Sequence, residues 1–547
     1  MIKNVSLRRS AIIALLLLAA TDSHPCTIIA VGKRASADGS VIISHTDCGP
    51  DNRIRVVHGQ SYKKGEMAPV YWGIQDINRP LDDFGDVIGE IPQVENTYTY
   101  FHSAYPHMNV HQLAIAESTT SQREELKVDR AVCKQIMTVE QAQMFSLQRY
   151  KSAREATAFI GYLMSTYGFL PSCVGESETL VLGDTQEIWI IEIFSVGSDW
   201  DPQSGDPGAI WVAQRVPDDH ALVVANWSII KEVDESDTEN FMFSKNYRQF
   251  AVDKGWYDPT GNKPFIWQEV YAPMLREWAT SRMWLFYNTY APGYADWPER
   301  SLTDGHMMGY NQYIQYVEPI SIYPTSVSPG RKISVQDVMA FQRSVFEGTI
   351  YDITEDYDWF VPDGKGGMKK SPLATPFPSK DMRELLDINN RRNMARPQGY
   401  YGMIAQLRDW LPDPIGGIYW VFLDNAYTSP YVPIYAGTRE IAECYKNFDP
   451  TQYSNKSACW AIDFVDNLLY LRWQEAIKDV WEVRNPYEEA LFSERDSIDN
   501  EALALFKRSP DQALDYLTDY SNGKMEKVLK MYNGLHDKLI VKYSNSR

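Results

Sequence analysis

The chain has 547 residues, a formal net charge of −19, 44% hydrophobic residues and 13% aromatic residues. Nucleic acid and anionic membranes bind proteins through a basic face, so the acidic balance excludes both as main partners. Six cysteines, at positions 26, 48, 133, 173, 444 and 459, are too few for a disulfide scaffold in a chain of this length. A local bridge between Cys444 and Cys459 is compatible with the spacing.

The first 20 residues have the pattern of a secretory signal peptide. A basic head is followed by the ten-residue apolar run AIIALLLLAA, and small residues follow where cleavage would occur. A membrane-spanning helix needs roughly 17–25 apolar residues, so the run is too short to remain as an anchor. We therefore expect a signal peptide at residues 1–20, a short spacer at 21–25, a secreted or periplasmic protein, and no integral membrane segment after processing.

Cys26 lies directly after this spacer. If everything before it is removed, a thiol and a free α-amine stand on the same residue, so that a nucleophile and a weak base are in hydrogen-bond reach. Attack of the Cys26 thiol on the Pro25 carbonyl is one way to remove the spacer. The structural alternative is a buried or disulfide-bonded cysteine in the first strand.

The next elements are mainly strands, interrupted by two helices. Residues 26–47 predict two strands joined by a turn, and residues 107–118 predict a buried strand that follows a polar loop. Capping patterns predict helices that begin near Thr138 and Ser152. Four strand-like segments follow: ETLVLGD, EIWIIEIF, AIWVAQRV and ALVVANWSII.

The second half of the chain is more helical. Residues 235–330 are rich in aromatic side chains and irregular, which indicates loops and short helices that decorate a core. Ser334 predicts the start of a helix that runs through Phe346, the segment GGIYWVFLD predicts a strand, and Pro510 predicts the start of a late helix. The predicted organisation is one α+β domain at 26–485, with insertions around 235–330, and a helical C-terminal extension at 486–547.

Five ordered segments carry a resemblance to a known family: CTIIAVGKRASADGSVIISHTD, MNVHQLAIAEST, WVAQRVPDDHALVVANWSII, EGTIYDIT and QLRDWLPDPIGGIYW. They resemble the cysteine dipeptidases of the dipeptidase A and secernin group, which are N-terminal-nucleophile hydrolases distantly related to penicillin V acylase and bile salt hydrolase. The resemblance runs from Cys26 to about residue 485. It implies a four-layer αββα sandwich whose nucleophile is the first residue after processing.

The resemblance also implies roles for four residues. Cys26 would be the nucleophile, with its own α-amine as the general base, and Asp47 would orient that amine. Asn109 and Asn226 match positions that donate an amide N–H to the oxyanion. The alternative for each Asn is a loop residue that bonds its own backbone, and the alternative for Asp47 is a turn at a strand end.

His45 is a departure from the family pattern, because relatives carry an Arg there. It either replaces the Arg in activating the thiol or binds substrate, and its ionisation near pH 6.5 would make that role dependent on pH. If the family Asp belongs one residue later, Cys48 has replaced it and the role of Asp47 changes.

Three further residues are candidates for substrate binding. Arg215 and Arg408 carry guanidinium groups that suit a substrate carboxylate, although structural ion pairs are equally compatible. Glu117 follows an apolar stretch and suits a substrate α-amine. The histidines form no recognisable ligand set, so we expect no metal and no organic cofactor.

Three hypotheses follow for the function. The first is a cysteine-type dipeptidase that acts through a thioester acyl-enzyme, with a dipeptide or small amide as its partner. The second is an amidase or acylase for a non-peptide amide, which the same nucleophile would serve. The third is an aromatic-rich extracellular binding protein in which Cys26 is structural. The sequence does not indicate the oligomeric state.

Overall fold

The computed structural model describes residues 26–47, 49, 51–172, 176–273, 277–294, 323–349, 351–388, 392–397 and 401–544. The predicted signal peptide and spacer lie outside these residues, as do Cys48, Cys173 and part of the 235–330 insertion. Within the described ranges, no helix has the length and apolar character needed to cross a bilayer.

The strands are β1 Thr27–Val31, β2 Val41–Asp47, β3 Arg55–Val57, β4 Met67–Trp72, β5 Asp86–Pro92, β6 Tyr100–His102, β7 Pro106–Asn109, β8 Ala114–Thr120, β9 Ser177–Gly183, β10 Ile188–Phe194, β11 Ile210–Val216, β12 Ala221–Val224, β13 Phe241–Phe243, β14 Phe360–Pro362, β15 Met368–Lys370, β16 Tyr401–Leu407, β17 Ile418–Leu423 and β18 Val432–Tyr435. The helices are α1 Val139–Arg149, α2 Ala153–Tyr167, α3 Tyr247–Asp253, α4 Trp267–Tyr271, α5 Glu277–Tyr290, α6 Val335–Gln342, α7 Lys380–Leu386, α8 Asp413–Gly416, α9 Glu443–Lys446, α10 Ala458–Leu469, α11 Trp473–Arg508 and α12 Pro510–Tyr543.

Two antiparallel sheets form the centre of the molecule. The six-stranded sheet has the order β12-β1-β2-β16-β17-β18, and the eight-stranded sheet has the order β13-β11-β10-β9-β8-β7-β6-β3. Strands β1, β2, β8, β9 and β10 are buried along their whole length. Their sequences are largely apolar and β-branched because both faces of each sheet are covered.

The two sheets pack face to face through β1 and β2 on one side and β8 and β9 on the other. Gly183 in β9 has no side chain where Ile43 of β2 approaches, and a Cβ built there would lie 2.6 Å from Ile43 Cγ1. Phe101 of β6 stacks on Tyr419 of β17, with ring centroids 5.6 Å apart. The core therefore lies between the sheets.

Helices cover the outer faces. α1 and α2 pack on the eight-stranded sheet, while α6, α10 and α12 pack on the six-stranded sheet. The ring of Phe492 in α11 stacks on Trp420 of β17, with centroids 4.9 Å apart. The layers run helix, sheet, sheet, helix, and the α+β prediction is confirmed.

The predicted element boundaries agree with the structure in most places. Thr138 and Ser152 cap α1 and α2, and Pro510 begins α12. The helix capped by Ser334 ends sooner than predicted, at Gln342, because the chain soon turns to the left-handed φ of +62° at Phe346.

Two interpretations of the C-terminal part change. Cys444 and Cys459 are free thiols, so the local bridge does not form. Cys459 Sγ instead accepts a hydrogen bond from Asn52 Nδ2 at 2.9 Å. Helix α11 also continues through residue 485, so the predicted domain boundary there does not coincide with a break in the structure.

Candidate active site

Cys26 lies at the edge of the core, one residue before β1, and its side chain is 2% exposed. Thr27 of β1 pairs with Thr46 of β2, so continuing the antiparallel register by one residue places Cys26 opposite Asp47. The distance from Cys26 Sγ to Asp47 Oδ1 is 3.4 Å. The first hairpin of the chain therefore brings a thiol and a carboxylate together.

Glu117 reaches the same thiol from the opposite sheet. It lies on β8, which packs against β1 and β2, and its Oε2 is 3.4 Å from Cys26 Sγ. His45, two residues before Asp47 and therefore on the same face of β2, places Nε2 at 3.5 Å from Glu117 Oε2. Four of the predicted residues thus converge, and their ligand atoms lie within 4.8 Å of one another.

The two carboxylates differ in their ionisation. Burial raises the pKa of Asp47 above its ordinary value, and the charge of Glu117 adds to this effect, while His45 opposes it. Burial also favours the neutral form of Glu117, but His45, Glu178 and Thr119 outweigh it and hold the pKa of Glu117 below its ordinary value. Glu117 is therefore the more persistent anion of the pair.

Asn226 lies on the other side of Cys26. Ile28 of β1 pairs with Val224 of β12, and the same register continued by two residues places Cys26 opposite Asn226. Asn226 has a left-handed φ of +59°, a strained conformation that Asn tolerates better than most residues. Its Nδ2 donates one hydrogen bond, of 2.7 Å, to the carbonyl of Thr119.

Arg282, which sequence reasoning missed, holds this side of the site in place. Its Nη1 donates to the carbonyl oxygen of Cys26 at 2.9 Å and to Thr27 Oγ1 at 2.6 Å. Its Nη2 donates to the carbonyl of Ala225 at 3.0 Å and to Asn226 Oδ1 at 2.8 Å. The side chain is fully buried on α5, so one planar guanidinium fixes both Cys26 and Asn226.

Aromatic rings enclose His45. The rings of Tyr105, His107 and Tyr401 lie with centroids 5.8, 5.1 and 6.3 Å from that of His45. Tyr401 begins β16, directly opposite Asp47, and was also missed by sequence reasoning. Burial raises its pKa well above the ordinary value, and the charge of Asp47 acts in the same direction, so its hydroxyl stays protonated.

His107 is a neutral imidazole with a defined tautomer. Burial and the proximity of His45 lower the pKa of His107 well below its ordinary value. Its Nδ1 is 3.2 Å from the carbonyl oxygen of Ile115, which only accepts, so Nδ1 carries the proton. Nε2 is then the acceptor for the hydroxyl of Tyr401, at 2.8 Å.

A small cleft opens beside Asp47. Its lining comes from β2, β16, β17, the segment before β16 and the segment after β17. The residues are Thr46, Asp47, Arg392, Met394, Ala395, Arg396, Tyr401, Phe422, Asp424 and Ala426. Burial raises the pKa of Asp424 well above its ordinary value, and the neighbouring Asp466 adds to this effect. The cleft thus combines guanidinium groups, carboxyl groups and aromatic rings beside Asp47, the carboxyl group that contacts the thiol.

Three predicted residues, Asn109, Arg215 and Arg408, have partners elsewhere in the molecule. Asn109 uses both amide hydrogens on the carbonyls of Leu147 and Tyr150, at 2.9 Å each, and its Oδ1 accepts from the backbone N–H of His111 and Leu113. It therefore ties the end of α1 to the loop after β7, and the geometry gives it no oxyanion role.

The two arginines are engaged in ion pairs. Arg215 binds Glu187 at 2.8 Å and Asp218 at 2.6 Å near the surface, three strands away from β8. Arg408 is 2% exposed and bound to Asp499. It follows Tyr401 by seven residues of extended chain, roughly 23 Å, so the structure does not bring it to the thiol.

Comparison with known proteins identifies the family of this chain. The sequence profile of "Peptidase family C69" matches residues 25–485. A protein of Streptococcus pyogenes serotype M1 named "Probable dipeptidase B" is 23% identical over 529 residues, which cover 95% of this chain and 93% of that protein. A "Probable dipeptidase" of Salmonella dublin is 25% identical over 430 residues, covering 76% and 81%. A further "Probable dipeptidase", of Latilactobacillus sakei, is 23% identical and covers 80% and 79%.

A profile match over most of the chain defines the class of this protein as a peptidase. Within that class, the chain belongs to peptidase family C69.

Proposed function

We propose that this protein is a cysteine dipeptidase whose nucleophile is the thiol of Cys26, made N-terminal by removal of residues 1–25. The observation that carries the proposal is the position of this thiol, 3.4 Å from both Asp47 and Glu117, where Asp47 also lines a small cleft. Family membership and the dipeptidase names of the relatives support the substrate class.

The reaction begins with the α-amine of Cys26. With a reference pKa of about 7.7–8.0, a free α-amine accepts the thiol proton near neutrality. The thiolate attacks the carbonyl carbon of the dipeptide, and the ammonium then returns the proton to the leaving amine as the C–N bond breaks. A thioester remains between Sγ and the first amino acid. Water, deprotonated by the same amine, hydrolyses it and regenerates the thiol.

Asp47 and Asn226 support the two charges that develop. We assign Asp47, which lies opposite Cys26 in the register, to hold the α-ammonium. We assign the second Nδ2 hydrogen of Asn226, which has no partner among the described residues, to donate to the oxyanion. Loss of one such donor typically raises the barrier by about 2.7–4 kcal/mol.

Removal of the spacer requires a different base, because the nitrogen of Cys26 is an amide until Pro25 is released. The carboxylates of Asp47 and Glu117 are the acceptors in contact with the thiol. Since Glu117 is the more persistent anion, we assign it as the base that takes the thiol proton when Sγ attacks the Pro25 carbonyl. The C–N bond then breaks as Glu117 returns the proton to the nitrogen, which frees the α-amine and leaves the spacer on Sγ as a thioester. Water hydrolyses this thioester, which releases the spacer and regenerates the thiol.

Two variants test the nucleophile. Hydrolysis of Ala-Ala-type dipeptides should disappear in Cys26→Ala and be blocked by iodoacetamide in the wild type. Cys133→Ser, which removes a half-buried thiol elsewhere, should keep full activity. Wild-type protein that cleaves acyl-amino acids or bile salt conjugates but no dipeptide would overturn the substrate class.

Mass spectrometry of the exported protein tests the processing step. The wild type should begin at Cys26, whereas Glu117→Gln should accumulate chains that still carry the spacer. Arg215→Gln removes a charge from a surface ion pair and should process normally. An active wild type with any other N-terminus would contradict this mechanism, and retention of the protein in the cytoplasm would contradict the secreted or periplasmic location.

A further inference from the structure

We propose that Cys26, His45, Asp47 and Glu117 also form a binding site for a zinc ion, and that occupation of this site reversibly inhibits the enzyme. The binding itself is independent of the function proposed above, while the inhibition rests on it. These four residues are the one group of at least three potential ligands brought together in the described part of the chain.

The donor types are those that zinc prefers. Thiolate sulfur, imidazole nitrogen and carboxylate oxygen all bind Zn²⁺ in tetrahedral sites. Mg²⁺ and Ca²⁺ favour oxygen ligands and bind poorly to a set that includes a thiolate and an imidazole. The chemistry of the group therefore selects zinc or a cation of similar character.

Three of the six separations between the donors fit one tetrahedral ion. Zn–S distances of about 2.3 Å and Zn–N or Zn–O distances of about 2.0–2.1 Å correspond to ligand separations of about 3.3–3.5 Å. Cys26 Sγ is 3.4 Å from both Asp47 Oδ1 and Glu117 Oε2, and His45 Nε2 is 3.5 Å from Glu117 Oε2. The donor atoms of the remaining pairs lie within 4.8 Å of one another, so these pairs would have to close by at most about 1.5 Å around an ion.

His45 is an independent indication of a missing partner. Its side chain is fully buried, yet Nδ1 has no hydrogen bond among the described residues and Nε2 has only the 3.5 Å contact with Glu117 Oε2. Buried polar groups are almost always hydrogen-bonded, and exceptions mark functional positions. Nε2 already points towards the carboxylate that would be a neighbouring zinc ligand.

The charge balance of the pocket also favours a cation. Two carboxyl groups and an ionisable thiol, which together can carry three negative charges, are buried beside the single α-ammonium proposed above. Buried anionic groups are stable when they are paired or coordinate a metal. Binding of zinc displaces the thiol proton to solvent and leaves Sγ coordinated, so that its lone pair is not available to attack a substrate carbonyl.

Cobalt titration tests the site without reference to activity. We expect purified wild-type protein to bind one equivalent of Co²⁺, with a thiolate-to-cobalt charge-transfer band and the intense visible bands of tetrahedral geometry, and to lose both when Zn²⁺ is added. Cys26→Ser should lose the charge-transfer band. His45→Gln should keep it but bind at least 10-fold more weakly, and Cys133→Ser should behave as the wild type.

Alkylation of the wild type gives a second measurement that needs no variant. Zn²⁺ should slow carboxamidomethylation of Cys26 at least 10-fold and leave that of Cys133 unchanged, as followed by peptide mass spectrometry. The proposal is overturned if Co²⁺ gives no charge-transfer band, if Cys133→Ser abolishes the band, or if both cysteines react at unchanged rates with Zn²⁺ present.

The inhibition is tested on dipeptide hydrolysis. One equivalent of Zn²⁺ should abolish it, a chelator should restore it, and Mg²⁺ should have no effect. If the wild type hydrolyses no dipeptide at all, the proposed function fails, but the cobalt and alkylation results still decide whether the metal site exists. Cobalt binding without any inhibition would refute the regulatory part.

Discussion

Asp47 and Glu117 flank one sulfur, yet their pKa values move in opposite directions. At Asp47, burial and the charge of Glu117 outweigh the effect of His45, whereas at Glu117 the effects of His45, Glu178 and Thr119 outweigh burial. Environments that push two carboxyl pKa values apart give the groups different tasks in many hydrolases. Here Glu117, whose pKa is lowered, contacts the thiol from the facing sheet. Asp47, whose pKa is raised, lies on the same sheet as Cys26.

Replacing Asp47 tests its assignment to the α-ammonium. An anion favours the charged amine and raises its pKa, so Asp47→Asn should lower that pKa. The acid limb of the kcat/KM profile should then move to lower pH by about 1–3 units. Asp409→Asn, at a surface ion pair with Lys33, should leave the profile unchanged. An unmoved acid limb in Asp47→Asn would remove Asp47 from the mechanism.

Arg282 should act by positioning. Its guanidinium spans Cys26 and Asn226, and displacing a reacting group by about 1 Å can reduce the rate about 100-fold. We expect Arg282→Lys to lower kcat by about that factor with little change in KM, because one ammonium cannot reproduce the planar fork. Steady-state kinetics on dipeptides, with circular dichroism to verify folding, measure this. A rise in KM at constant kcat would instead indicate direct substrate binding.

Of the five predicted residues that the fold brings together around the thiol, three are close to one another in the sequence. Cys26, His45 and Asp47 lie in one hairpin, so local pairing alone brings them together. Arg282 and Tyr401 reach the site from distant parts of the chain, and neither lies in a recognisable motif. Arg408 had the right chemistry for a substrate carboxylate, but only the register of β16 shows that it lies at the far end of the strand.

At the scale of elements, the separation of the two sheets determines whether Glu117 reaches Cys26. Gly183 of β9 allows Ile43 of β2 to approach closely, next to the strands that carry the site. Because β8 and β9 are neighbours, a larger residue at this position would move β8 away from β1. The glycine therefore contributes to the geometry of the site without touching it.

Gly183→Ala tests this contribution. The added Cβ would lie 2.6 Å from Ile43 Cγ1 and 2.7 Å from Cδ1, which is closer than packing allows. We expect a loss of stability of about 1–3 kcal/mol, as in other overpacked cores, and a partial rescue by Ile43→Ala. Urea unfolding measures both. Gly523→Ala, at an open position within α12, should be neutral or stabilise the protein by up to about 1 kcal/mol. If Gly183→Ala were as stable as the wild type, the two sheets would be able to move apart to accommodate the added methyl group without a cost in stability.

At the scale of the whole molecule, the C-terminal helices are a structural layer. α11 crosses the position at which the family match ends, and α11 and α12 pack against each other over their length. Asp499 of α11 binds the guanidinium of Arg408, and Tyr435 of β18 donates a hydrogen bond of 2.9 Å to the same carboxylate. This buried network connects the helical layer to the end of the six-stranded sheet that is distant from Cys26.

Asp499→Ala separates the structural role of Arg408 from a role in substrate binding. Removing one partner leaves a buried guanidinium uncompensated, which typically destabilises a protein by about 3–5 kcal/mol. We expect a loss of this size in urea unfolding, while KM for dipeptides stays unchanged because Arg408 lies far from the thiol. The double variant Arg408→Met with Asp499→Leu replaces both charges by apolar groups and should recover most of the stability. A selective rise in KM in the double variant would instead show that Arg408 binds the substrate carboxylate.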